Sequence, residues 1–265
     1  MNTADLAQQN IILRGLVGST VHGLALEGQD DRDEMGVFIE PQEYVLGLGH
    51  VEQWTFRTQP DGVRSGHGDL DLTVYALRKY ARLASSGNPT ILLLFHLPAS
   101  AVLYANDWGH RLLDSRDLFV SRQAGRAFLG YLRAQRQRGM GSERARRHGK
   151  PRADLGEQYG YDTKYAMHML RLGYQGVEFL ETGRLTLPMP EPVRYHLMVV
   201  RTGKISENHV LTEAGELERR LEDLLDTSPL PASPDRAAID RFLIEMQEQW
   251  WVWTRDRDDQ TGGTS

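Results

Sequence analysis

Residues 18–37, GSTVHGLALEGQDDRDEMGV, constrain the fold of this chain more than any other stretch. An apolar run, Ile11 to Val17, delivers the chain into a Gly18-Ser19 turn. Twelve residues after the serine come two aspartates one residue apart, Asp31 and Asp33, followed by the apolar residues Met35 to Ile39. Alternate residues of a strand point the same way, so an extended segment here converges both carboxylates on one spot. The implied order is strand, Gly-Ser turn, short helix or loop, and a second strand that opens at Asp30 and stops at Pro41. Hard cations such as Mg²⁺ take oxygen ligands and are commonly shared between carboxylates and substrate phosphates. A Gly-Ser turn can bring backbone N–H groups close to phosphate oxygens. Taken alone, D-x-D describes a polar hairpin turn equally well.

The next carboxylates follow a loop. Val51 to Phe56 reads as a strand, and Thr58 to Gly68 is rich in Gly, Pro, Asp and Ser, as a hairpin or loop should be. Asp69, Asp71 and Thr73 then alternate with Leu70, Leu72 and Val74, the period of a half-buried strand. A third carboxylate beside the first pair would complete a cluster. Asp71 is the candidate, with Asp69 in reserve. Residues 74–86 carry the apolar positions Val74, Leu77, Ala81 and Ala84, a helical face that Gly87 closes. Thr90 to Leu97 reads as a short buried helix, with His96 a core or border histidine, and residues 101–113 and 121–138 read as further helices.

Residues 133–152 are the compositional outlier, with eight arginines and lysines against the single acid Glu143. The chain as a whole has a formal charge of −5, so positive charge is segregated into this stretch. A one-sided excess of this kind favours a seat for polyphosphate or a nucleic-acid backbone over a solvated run. Beyond it, Asp162 or Thr163 can cap a helix running to about Tyr174. Lys164, His168 and Arg171 line one face of that helix, while Tyr165, Met169 and Leu172 line another. Two cations and an imidazole on one face suit phosphate or carboxylate recognition, and an ordinary solvated face has the same spacing. Val177 to Gly183 is a further helical turn, and residues 194–201 and 212–225 are amphipathic helices. In the latter, Leu217, Leu221, Leu224 and Leu225 point inward. TSPLPASP at 227–234 is a linker. A final helix at 235–254 gathers Ile239, Phe242, Leu243, Met246, Trp250 and Trp253, and a fraying tail follows from about residue 255.

The absence of cysteine excludes disulfides, thiolate metal sites and cysteine nucleophiles. No apolar run is long enough to span a membrane, and the N-terminus lacks the basic and apolar regions of a signal peptide, so a soluble, cytoplasmic protein is expected.

The conjunction of these elements resembles the nucleotidyltransferase superfamily typified by DNA polymerase β, with Gly18-Ser19, Asp31-x-Asp33 and a later strand aspartate at Asp71. Within it, Gly18-Ser19-x-x-x-Gly23, Asp31-x-Asp33-x-x-Gly36-Val37, Leu77-Arg78-Lys79 with Asn88-Pro89, and Gly160-Tyr161-Asp162-x-Lys164-x-Ala166-x-x-Leu170-Arg171 resemble RlaP. RlaP is a predicted nucleotidyltransferase family linked to RNA ligases and RNA repair, and the resemblance runs from about residue 12 to 234. It departs at Asp30, where members usually carry serine. The resemblance implies an α+β fold, a mixed sheet with helices followed by a helical C-terminal region. The expected divisions are a core at 1–115, a helical and basic connector at 116–158, a helical domain at 159–254 and a disordered tail. It further implies Mg²⁺- or Mn²⁺-dependent transfer of a nucleoside monophosphate from a nucleoside triphosphate, ATP among the candidates. Asp31, Asp33 and Asp71 would hold metal and carry catalysis. Gly18, Ser19, Lys164, His168 and Arg171 would bind the nucleotide, the basic stretch would seat an RNA end, and an RNA ligase would be a partner in the same pathway. Transfer to a protein or small molecule, and nucleotide or RNA binding without chemistry, are the alternatives.

Overall fold

The computed structural model describes residues 2–28, 30–63, 65–138 and 158–262, with side chains in the last helix described as far as residue 257. The elements, in chain order, are α1 (Thr3–Gln9), β1 (Ile11–Leu16), α2 (Gly18–His22), β2 (Arg32–Phe38), α3 (Gln42–Val45), β3 (Gln53–Arg57), β4 (Leu70–Ala76), α4 (Leu77–Ser85), α5 (Pro89–Leu92), β5 (Val102–Ala105), α6 (Asp107–Asp114) and α7 (Arg122–Arg138). After the undescribed segment come α8 (Thr163–Thr182), α9 (Val193–Arg201), α10 (Glu207–Thr227) and α11 (Arg236–Gly262).

The fold is α+β. Among the described residues, five strands form a mixed sheet in the order β3-β4-β2-β1-β5. β2 and β4 are parallel, whereas β1 pairs antiparallel with β2 and β5, and β3 antiparallel with β4. Period-two alternation sorts the side chains of β2 and β4 to two faces. Phe38, Leu72 and Val74 pack with Leu6 and Ala7 of α1 on one side. Met35 and Val37 join the larger core on the other, with Leu77, Tyr80, Phe128, Phe179 and Trp250. α8 packs against α7, α9 and α10 around a second core that includes Leu170, Leu197, Val210 and Leu221. α11 returns to the first unit, where Trp250 meets Trp108 edge-on and the Trp251 Nε1–H donates to the Glu40 carbonyl at 2.8 Å. Among the described residues, no helix is long and apolar enough to cross a membrane.

Several local expectations are corrected. β2 begins at Arg32, leaving Asp30 and Asp31 in the approach to the strand. Val74 belongs to β4 and not to the following helix, because β4 lies between β3 and β2 and is paired through Ala76. Residues 102–105 form a strand, since β1 offers them a paired edge. Asn106 then caps α6 by accepting from the Gly109 N–H at 3.0 Å. The segments 163–174 and 177–183 are one helix. Gly173 and Gly176 do not break it. They are notches, where an added Cβ would stand 2.8 Å from Leu217 Cδ1 and from Phe128 Cβ respectively. Leu224 and Leu225 are only half-buried, and α11 continues as helix to Gly262, past the expected start of the tail.

Candidate active site

Two neighbouring strands and one helix build the site. Asp33 of β2 and Asp71 of β4 are direct partners in the parallel register, so their carboxylates emerge from the same face of the sheet. Asp31, two residues before Asp33, joins them. One carboxylate oxygen of each of the three lies within 4.8 Å of the others. Asp69 is engaged elsewhere. It accepts from the Gly66 N–H at 2.9 Å, Gln59 Nε2 at 2.7 Å and the Thr58 hydroxyl at 3.0 Å, tying down the β3–β4 loop. The same loop steadies Asp71, which accepts from Ser65 Oγ at 2.9 Å and from Arg57 Nε at 2.9 Å.

Gly18 makes the convergence possible. Its φ of +68° lies in the left-handed region that favours glycine, and a Cβ there would overlap Asp33 Oδ2 and stand 2.8 Å from Asp33 Cβ. The Val17 N–H donates to the Asp33 carbonyl at 2.9 Å, which fixes the Gly-Ser turn against β2. Left-handed Gly23 closes α2 after a single turn.

Asp33 and Asp71 face a cleft of about 970 Å³ that they line with Gly18, Ser19 and, from α8, Lys164, His168 and Arg171. Asp162 caps α8 by accepting from the Tyr165 N–H at 2.9 Å. The structure therefore brings the predicted helix face opposite the predicted carboxylates. Charge sets the chemistry of both walls. Burial, with repulsion from Asp31 and Asp71, raises the Asp33 carboxyl to about 6, against an offsetting attraction from Lys164. Three oxygen donors crowded until one resists ionisation fit a divalent cation, which would relieve the repulsion.

On the facing wall the hydrogen bonds assign the imidazole tautomers. An arginine only donates. Arg171 Nη2 lies 2.8 Å from His168 Nδ1, so that nitrogen accepts and the neutral ring carries its proton on Nε2. Arg171 Nη1 likewise donates to His22 Nε2. Burial, then Arg171 and Lys164, lower the His168 pKa to about 3, and burial, then Arg171, hold His22 well below its ordinary value. Burial also lowers Arg171 to about 10, with Asp33 opposing, which leaves the guanidinium charged at neutral pH. His168 is thus a neutral N–H donor beside two cations.

Asp30 stands apart from the three-carboxylate cluster. It accepts from Lys164 Nζ at 2.5 Å, from Arg201 Nη2 at 2.6 Å and from the Leu26 N–H at 2.8 Å. Burial opposes its ionisation, but Lys164, Leu26 and Arg201 outweigh that and hold it at about 2. Sequence reasoning missed His22, Arg201 and Arg57. His22 lies on a one-turn helix too short for a periodicity, and Arg201 reads as the end of an amphipathic helix. In the basic stretch, Arg133 Nε pairs with Glu218 at 2.7 Å, Arg133 Nη2 with Glu222, and Arg136 Nη1 with Glu218 at 2.7 Å. These two cations are therefore neutralised by α10, a correction to the one-sided reading. Residues 139–152 of the stretch lie outside the described residues.

A protein of Enterobacteria phage T4, described as an uncharacterized 38.9 kDa protein in the nrdC-mobD intergenic region, is 25% identical over 127 residues. The match takes in 47% of this chain and only 37% of the phage protein's length. A nucleotidyltransferase-like protein from Exiguobacterium sibiricum shares 14% identity at a TM-score of 0.30, with 84% of this chain and 72% of that one covered. Residues 2–245 match RlaP, the RNA repair pathway DNA polymerase beta family, and the chain belongs to that family.

Proposed function

We propose that this protein is a metal-dependent nucleotidyltransferase that moves a nucleoside monophosphate from a nucleoside triphosphate to the end of an RNA. The observation that carries the reading is a cluster of three converging carboxylates, two of which line a cleft opposite a cationic helix wall. The acceptor hydroxyl oxygen would form a bond to the α-phosphorus as its proton passes to the Asp71 carboxylate, the bond from that phosphorus to the α,β-bridging oxygen would break, and pyrophosphate would leave. Asp31, Asp33 and Asp71 would hold Mg²⁺ or Mn²⁺, which when bound would offset the charge of the triphosphate and favour both attack and departure. Lys164 and Arg171 would bind the phosphates as cations, and the His168 Nε2–H as a neutral donor. Ser19 and the Gly18 backbone would bound the triphosphate on the sheet side, and Asp71 would orient the acceptor hydroxyl. An RNA acceptor is supported by the family's description and by the arginines and lysines of residues 144–152. An RNA ligase acting on the same ends would be the natural partner.

The test is incubation of the protein and of Asp33→Asn with each of the four labelled triphosphates, Mg²⁺ or Mn²⁺, and RNA or protein pools. Label on RNA with release of pyrophosphate, lost in Asp33→Asn, is the expected result. Label on protein would move the acceptor to another class. Pyrophosphate release that survives Asp33→Asn would refute the assignment of the site.

A further inference from the structure

The Asp30 carboxylate is among the most thoroughly paired charges in the described structure. Its side chain is 4% exposed, as is that of its partner Arg201. Lys164, bound to the same carboxylate from the other side, is 26% exposed and lines the cleft. Asp30 and Lys164 are 134 residues apart in sequence, and Asp30 and Arg201 171 apart, so the contact joins the approach to β2 with α8 and with the end of α9. Lys164 has three N–H donors, of which Asp30 takes one. The other two remain for the cleft, where Lys164 already acts on Asp33.

We propose that Asp30 is the positioning residue of the phosphate seat: braced by Arg201, it holds the Lys164 ammonium at the cleft wall, ready for the phosphates of the nucleotide. A lysine is a flexible point charge that loses rotamer freedom when it binds. Anchoring it beforehand removes that cost from ligand binding. Arg201 fixes the anchor from the buried side. The role is electrostatically economical, because the trio carries a net charge of +1, the same as Lys164 alone. Asp30 with Arg201 therefore supplies place and not field. The proposal rests on the assignment of the cleft as a nucleotide site.

The test follows from that charge balance. Asp30→Asn alone would leave Arg201 buried without a counter-charge and could unfold the protein. The double variant Asp30→Asn/Arg201→Met removes both buried charges, leaves the local net charge at +1, and frees Lys164. Binding of inorganic tripolyphosphate with Mg²⁺ is measured by calorimetry on the full chain, alongside thermal unfolding. Wild type should bind, the double variant should keep its fold and bind about tenfold more weakly, and Lys164→Met, which removes the charge as well as its placement, should bind at least as weakly. Introducing Asp30→Asn/Arg201→Met into Lys164→Met should then cost little more, since the pair acts only through Lys164. Equal or tighter binding by the double variant would overturn the proposal, and so would full additivity with Lys164→Met. If the double variant unfolds, Lys164→Met decides: binding equal to wild type would overturn the proposal. Failure of wild type to bind tripolyphosphate would instead reject the nucleotide reading of the cleft itself.

Discussion

Replacing Asp33 with asparagine should abolish the proposed nucleotidyl transfer and at the same time stabilise the metal-free protein. Burial and the charges of Asp31 and Asp71 move the Asp33 carboxyl from near 3.8 to about 6. The folded protein therefore holds a proton that the unfolded chain has released between about pH 4 and pH 6. Stability falls as pH rises through that window and stays reduced above it. At about 1.4 kcal/mol per pH unit the cost at pH 8 is at most about 3 kcal/mol. Residual solvent around Asp33 and the burial of the asparagine amide reduce the recoverable part to roughly 1–2 kcal/mol. For a chain of this size that is on the order of 5 °C in Tm. The assay is thermal unfolding of wild type and Asp33→Asn in a chelator at pH 8 and at pH 4. A gain for the variant at pH 8 that shrinks at pH 4 is expected, together with Mn²⁺ stabilising wild type and not the variant. A variant equal to or less stable than wild type at pH 8, or a gain independent of pH, would refute the account of a charge-strained carboxylate cluster.

Other consequences are as specific. Asp71→Asn should weaken Mn²⁺ binding about tenfold or more, read by electron paramagnetic resonance. Asp69→Asn should leave it within about twofold and lower the Tm only slightly, through its loop hydrogen bonds. Gly18→Ala should lose Mn²⁺ binding, because Asp33 must move away from the new Cβ. Left-handed backbone strain of about 1–2 kcal/mol should appear as a small drop in Tm. Nitrogen NMR should find His168 as the Nε2–H tautomer and uncharged down to about pH 4, since burial, Arg171 and Lys164 depress its pKa. A midpoint near 6.5 would contradict that environment. With its folded pKa depressed, His168 should contribute a loss of stability as pH falls below about 6.5.

The pieces of the site were legible because their signals are local. Gly18-Ser19 is a turn in any context, Asp31-x-Asp33 shares a strand face by backbone geometry, and Lys164, His168 and Arg171 share a helix face by a period of 3.6. The choice between Asp69 and Asp71 was open because both occupy the same face of an alternating strand. Register with β2 places Asp71 beside Asp33, and the loop at 58–66 takes Asp69. Residues 102–105 looked helical because four residues carry little periodic information, and an available edge of β1 makes them a strand. The glycines of α8 look like breaks until Leu217 and Phe128 fill the notches they leave.

Asp30 marks the boundary between the two kinds of information most clearly. In the sequence it is one more acid beside a metal-binding motif. Its neighbours in space, Lys164 and Arg201, come from 134 and 171 residues downstream, and nothing in local spacing couples them. The same holds for His22 and Arg171. The sequence by itself determined which faces carry carboxylates, cations and apolar groups, because those follow from backbone period. Tertiary structure alone decided which faces meet, and therefore which charges are buried, which proton each imidazole holds, and which acid pairs with lysine and arginine instead of joining the carboxylate cluster. Those properties depend on distance and desolvation, which no interval along the chain encodes.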